Sequence, residues 1–115
     1  MEYKIHYEGD YAVVVLSGEV DLQNSPAARE KILAQIKARF HVLVDLSAVT
    51  YIDSSGVASL VEGLQQARQH QLEFGLIGVS LPALQVLQLA RLDKVFDIHD
   101  SLEQRLEQHN AQKGG

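Results

Sequence analysis

The stretch "HVLVDLSAVTYIDSSGVASLVEGL", residues 41–64, constrains the fold most, because its apolar spacing changes partway along. "HVLVDL" has the β-branched, nearly unbroken apolar character of a buried strand. Beyond "YIDSSG", which ends the connection after that strand, Val57, Leu60, Val61, Leu64 and Ala67 recur at helical spacing. They predict a helix that starts near Ser55 and fades around His70. A strand that leads into a helix through a short polar turn is the building unit of sheets with helices packed on them.

The same alternation extends in both directions. "YKIHY" and "YAVVVLSG" are short β-rich runs separated by Glu8, Gly9 and Asp10, and Gly9 can take the positive φ of a tight turn. Asn24, Ser25 and Pro26 mark a helix start, with Ser25 as the cap and Pro26 where no amide bond is needed. Ile32, Leu33 and Ile36 continue that helix on one face. "FGLIGV" reads as another strand, "LPALQVLQLARL" as a helix opened by Pro82, "VFDIHD" as a final short strand or edge, and "SLEQRLEQH" as a terminal helix. The predicted fold class is α/β: a mixed, mostly parallel central sheet opened by a β-hairpin, with about four helices packed on it. One domain is expected over residues 1–110, with a disordered tail at 111–115.

Composition narrows the function. A chain of 115 residues is long enough to bury one core without staples. With 10 Lys and Arg against 15 Asp and Glu, the formal charge is −5, and no basic cluster is available to neutralise phosphates, so nucleic acid is not an expected partner. The absence of cysteine removes disulfides, thiol catalysis and thiolate metal sites, and fits a reducing compartment. No export signal or run of roughly 20 apolar residues stands out, so a cytoplasmic protein with no direct membrane insertion is expected. His6, His41, His70, His99 and His109 are scattered without metal-ligand spacing. "DSSGVAS" is not a hydrolase nucleophile elbow, and no phosphate-binding loop is present. These absences point away from an enzyme, a bound metal or a resident cofactor.

What remains is the pair of serines in "DSSG". Capping is the simpler reading, since Ser and Asp are favoured before helices, and Gly56 then serves a close turn. The other reading is chemical: the Ser54 hydroxyl lies beside the free amides and positive end of the following helix, where a phosphate finds an anion site. Asp53 adjoins it, and Asp21 and Asp45 join the same rim if their strand ends converge there; solvated loop carboxylates are the alternative for both. The readings are compatible if Ser55 caps and Ser54 is the target. The third helix, with Leu84, Val86, Leu87, Leu89 and Ala90, is apolar on more than one face, either through deep packing on the sheet or as a protein-binding surface.

Taken together, "LSGEVDLQNSPAAREKI", "VLVDLSAVTYIDSSGVASLV" and "GVSLPALQVLQLARLDKVFDIHDSLEQRL" resemble a STAS domain of the anti-sigma factor antagonist type, over roughly residues 3–107. The order and spacing of "GEVD" and "YIDSSG" carry the resemblance. It implies a protein that binds an anti-sigma factor serine kinase by partner switching, is inactivated when that kinase phosphorylates it, and is restored by a serine phosphatase. It implies Ser54 as phosphoacceptor, Asp21 as the acidic residue tied to phosphorylation and partner contact, and Asp53, Ser55 and Gly56 as the rest of the motif. ATP belongs on the kinase. STAS domains also serve as small subunits of phospholipid ABC transporters, with an ATPase or permease as partner, and the resemblance leaves that alternative open.

Overall fold

The computed structural model describes residues 1–107. Five strands form one sheet in the order β1-β2-β3-β4-β5, so each strand lies beside its sequence neighbour. The hairpin of β1 (Glu2–Glu8) and β2 (Tyr11–Val20) is antiparallel, while β3 (His41–Ile52), β4 (Phe74–Ile77) and β5 (Asp97–His99) continue the sheet in parallel. Gly9 closes the hairpin at φ +60°, a conformation that favours glycine. Helices α1 (Ser25–Lys37), α2 (Ser54–Gln69) and α3 (Leu81–Leu89) connect the parallel strands, and α4 covers residues 102–107. The expected mixed α/β sheet with four helices is therefore present. The end of the predicted terminal helix and the tail at 111–115 lie outside the described residues.

The two-residue period of the strands sorts their side chains to two faces. Val14, Leu16, Val42, Val44, Leu46, Phe74 and Leu76 meet α1, α2 and α3 through Ala28, Ile32, Ile36, Val57, Leu60, Leu64, Ala83 and Leu87. The alternate residues Tyr11, Val13, Leu43 and Ile77 form a smaller cluster, closed by the half-buried Leu102 and Leu106 of α4. There Arg105 pairs with Glu73 at 2.8 Å and lies over the Tyr11 ring, whose hydroxyl donates to Glu73. Because both faces of the central strands are covered, those strands read as apolar runs rather than alternating ones.

Four details correct or complete the sequence reading. First, β3 runs to Ile52, so "VTYI" is strand rather than connection: β2 and β3 stay paired through two register shifts, out to Val20 opposite Ile52. Second, Ser25 is the first residue of α1 and not its cap; Asn24 occupies the cap position with no capping bond from its side chain, which donates to the Glu19 carbonyl instead, and the Asp21 carbonyl takes the Asn24 and Ser25 amides at 3.1 and 2.7 Å. Third, α3 is capped by the Ser80 hydroxyl, which accepts from the Ala83 amide. Fourth, α3 is packed on one side only. Ala83 and Leu87 are buried, but Leu81 and Leu89 are 66% and 87% exposed.

Candidate functional site

The Val20–Ile52 pair fixes where the site lies. The residues that follow these two strand ends, Asp21 and Asp53, leave the sheet side by side although they are 32 positions apart in sequence. Backbone bonds hold the junction: the Asp53 amide donates to the Val20 carbonyl at 3.2 Å. A carboxylate ties it further, since Asp53 Oδ2 accepts from the Leu22 amide at 3.1 Å and so links the β2–α1 loop to the start of α2. Adjacent carboxyl ends of parallel strands are where folds of this class usually gather functional loops.

Asp53 is the cap of α2. Its backbone is extended, and its Oδ1 accepts from the Ser55 amide at 3.0 Å, the Gly56 amide at 3.1 Å and the Ser55 hydroxyl at 2.6 Å. The Ser55 hydroxyl, followed by the Gly56, Ser55 and Leu22 amides, holds the carboxyl below its ordinary pKa, despite the opposing effect of desolvation. This corrects the expectation that Ser55 caps the helix. Asp53 satisfies the Ser55 and Gly56 amides, and Ser55 braces the cap from within the first turn. The helix accordingly begins at Ser54, one residue earlier than expected.

Ser54 is exposed, and its hydroxyl makes no hydrogen bond among the described residues. Ser55 is half-buried and its hydroxyl is engaged. The two adjacent serines thus have different environments, as anticipated, although the cap itself is neither of them. The anion site proposed for a phosphate on Ser54 is not vacant: the Ser55 and Gly56 amides already serve the Asp53 carboxylate. A phosphate placed on Ser54 would stand outside that cap, next to a carboxylate, with the field of the helix end in its favour but without the Ser55 and Gly56 amides.

Gly56 is required by contact. A Cβ there would lie 2.6 Å from the Val20 carbonyl oxygen and 2.7 Å from Ile52 Cγ1, so only glycine lets α2 start this close to the ends of β2 and β3. Asp21 Oδ1 accepts from the Gln23 and Asn24 amides at 3.1 and 3.0 Å and folds the loop that leads into α1. It belongs to this end of the sheet. Asp45 does not: it lies mid-strand opposite Val15 and Ile77, eight residues before Asp53 (53 − 45 = 8), or roughly 25 Å of extended chain away. It lines a separate depression with His6, Ser47, Gly78 and Asp100, and accepts from the Ser47 amide and hydroxyl.

Two neighbours of Ser54 escaped the sequence reading. Leu22 is 76% exposed in the loop held by Asp53, and Tyr51 is 50% exposed at the end of β3. Large apolar side chains standing in solvent beside a free hydroxyl make a surface suited to a protein partner. The signal available in the sequence was weak, because Leu22 was hidden in a turn and Tyr51 in what read as a connection. A shallow groove between α1 and α2, lined by Ser25, Pro26, Ser55, Ala58 and Ser59, adjoins this surface, and the Arg29–Glu62 ion pair bounds it. Among the described residues no cluster of three or more His, Cys, Asp or Glu could hold a metal ion, and no helix is long and apolar enough to cross a membrane.

The family model described as the STAS domain matches residues 4–105, and the chain belongs to that family. An anti-sigma-B factor antagonist of Listeria monocytogenes is 27% identical over 103 residues, covering 89% of this chain and 90% of that protein. The crystal structure of an anti-sigma factor antagonist from Mycobacterium paratuberculosis superposes with a TM-score of 0.80 at 27% identity, over 92% of this chain and 91% of that one. The crystal structure of a putative anti-sigma factor antagonist from Thermotoga maritima shares the fold with a TM-score of 0.85 at 20% identity, over 92% of each chain.

Proposed function

We propose that this protein is an anti-sigma factor antagonist, cytoplasmic, that binds an anti-sigma factor serine kinase by partner switching and is released when the kinase phosphorylates Ser54. The observation that carries the reading is the exposed, unengaged Ser54 hydroxyl at the start of a helix whose cap is already filled. The partner docks on the surface around Ser54, with Leu22 and Tyr51 as apolar contacts. Phosphorylation adds about −1.5 to −2 charges there. Since Asp53 occupies the cap amides, the phosphate stays at the surface, and the switch changes the field that the partner meets without refolding the domain. Like-charge juxtaposition at an interface costs several kcal/mol, and about 1.4 kcal/mol corresponds to tenfold in affinity, so one phosphate is enough to dissociate a micromolar complex. A serine phosphatase resets the protein. ATP is the kinase's ligand, and this chain takes no part in the chemistry beyond offering the hydroxyl. The names of the relatives in Listeria and Mycobacterium support the antagonist role.

The test is intact mass and peptide mapping after incubation with the cognate kinase and ATP. One added phosphate on Ser54 is expected, whereas modification of Ser55, or none, overturns the assignment.

One observation favours a second reading, a subunit of a phospholipid ABC transporter: the exposed apolar residues Leu81 and Leu89 on α3 and Val95 beyond it. That reading expects stable copurification with a transporter ATPase or permease whether or not Ser54 is modified. Native protein found with a kinase-like ATPase and never with a transporter eliminates it.

A further inference from the structure

The strand β1 ends the sheet on one side, and no other strand pairs with its outer edge among the described residues. Half of its backbone N–H and C=O groups therefore point away from β2. Proteins commonly blunt such an edge with a proline, a bulge or a covering segment. Among the described residues β1 has no proline, no bulge and no further strand on that edge, and only its charges, Glu2, Lys4 and Glu8, guard it; it pairs with β2 in unbroken register for its whole length, from Glu2 opposite Ser17 to Glu8 opposite Tyr11. Its side chains alternate between two sets. Glu2, Lys4, His6 and Glu8 share one face, and Tyr3, Ile5 and Tyr7 the other, with Tyr3 and Tyr7 45% and 54% exposed.

We infer that this edge pairs with the same edge of a second copy of the chain, antiparallel, about a twofold axis at His6. A twofold axis normal to the sheet keeps each face on its own side, so paired residues must have the same parity, and three centres, Lys4, Ile5 and His6, overlap five or more residues of β1. Centring on Lys4 sets Lys4 against Lys4. Centring on Ile5 sets Glu2 against Glu8 twice. Centring on His6 sets Lys4 against Glu8 twice on one face and Ile5 against Tyr7 twice on the other. Opposite charges and an aromatic paired with a β-branched residue are the stabilising cross-strand combinations, and like charges the destabilising ones. The charge pattern therefore selects a single register out of three. Because every pair in it joins residues of like parity, the backbone groups match whichever set faces outward.

The helix above the edge leaves room for this pairing. Lys31 lies over the Tyr3 ring and Gln35 accepts from the Tyr7 hydroxyl, which fixes the side of α1 that faces β1. On the exposed part of that side, at helical spacing from Lys31, stand Ala27, Ala34 and Ala38. Small side chains let the two α1 helices come near each other without collision. A contact of this extent is smaller than the roughly 800 Å² per partner of a standard interface, and a dimer that half-forms at about 100 µM is expected.

The inference does not depend on Ser54, and its test does not read phosphorylation. Sedimentation of the full chain between about 5 µM and 1 mM gives the dimer constant. Lys4→Glu or Glu8→Lys alone turns two attractive pairs into two repulsive ones and weakens the dimer about tenfold. The double variant, Lys4→Glu with Glu8→Lys, restores it. The register is read by cross-linking, which is clean in a chain without cysteine. His6→Cys faces its own copy within disulfide reach, and a mild oxidant such as diamide links it. Lys4→Cys does not link. A wild-type chain that stays monomeric at 1 mM, a dimer indifferent to both single reversals, or a Lys4→Cys that links as readily as His6→Cys overturns the proposal. Pairing of β1 with a different protein by a chain that is itself monomeric also overturns it.

Discussion

The Asp53 carboxylate and the Ser55 hydroxyl are 2.6 Å apart, and the same Asp53 oxygen takes the Ser55 and Gly56 amides. One side chain thereby closes the N-terminus of α2 and engages the second of two adjacent serines. Ser54 alone is left facing solvent. The division between a structural and a chemical serine follows from this one carboxylate.

Removing it is expected to cost stability in a recognisable way. Asp53→Ala loses the cap and the link to Leu22, and lowers Tm by several degrees in a thermal melt. Asp53→Asn keeps an oxygen for the amides and loses less. The pH dependence distinguishes charge from geometry. The folded carboxyl is held below its ordinary pKa, so its contribution is present above the unfolded value of about 4 and is lost as pH falls through the folded one. The stability difference between wild type and Asp53→Asn should therefore shrink below about pH 4. A difference that stays constant from pH 7 to pH 3 shows that the charge contributes nothing.

Gly56→Ala tests the close approach of α2 to the sheet. The added methyl meets the Val20 carbonyl at 2.6 Å and Ile52 Cγ1 at 2.7 Å, and backbone yields little. A loss of about 2 kcal/mol in urea unfolding is expected. The gain that alanine ordinarily brings to a helix interior, up to about 1 kcal/mol, is outweighed by the clash.

Ser54 is expected to be neutral for stability and decisive for binding. Ser54→Ala should melt within about a degree of wild type, since its hydroxyl holds nothing together. In titrations with the anti-sigma kinase, Ser54→Ala should bind in the presence of ATP without release, and Ser54→Asp should bind at least tenfold more weakly. Equal binding of wild type and Ser54→Asp would sink the proposed switch.

Arg105 anchors α4 to the other face of the sheet. Its side chain is 9% exposed, pairs with a Glu73 that is 37% exposed, and lies over Tyr11. Arg105→Ala should cost about 1–2 kcal/mol, less than breaking a fully buried pair because Glu73 keeps contact with water. Hydrogen exchange should rise in residues 102–107 and stay unchanged in α2. Uniform acceleration across the chain would mean that α4 belongs to the global folding unit instead.

The sequence by itself determined the order and type of the elements, because periodicity is a local property: a near-continuous apolar run before "DSSG" and a helical recurrence after it leave little freedom. It assigned Ser54 and Ser55 different roles, a target and a cap, but through the family resemblance and a supposed Ser55 cap rather than through any constraint in the local spacing. It misjudged which side chain caps, taking a serine where the adjacent aspartate had the extended backbone and the reach. Only the tertiary structure decided what gathers around Ser54. β3 stays paired with β2 through two register shifts, and that irregular pairing brings Asp21 and Leu22 beside Asp53 while leaving Asp45 far down the strand. Periodicity records which face of an element is buried and carries no information about where two strands end relative to each other. That relation is set by backbone pairing across a long sequence separation, and the surface around Ser54 depends on it.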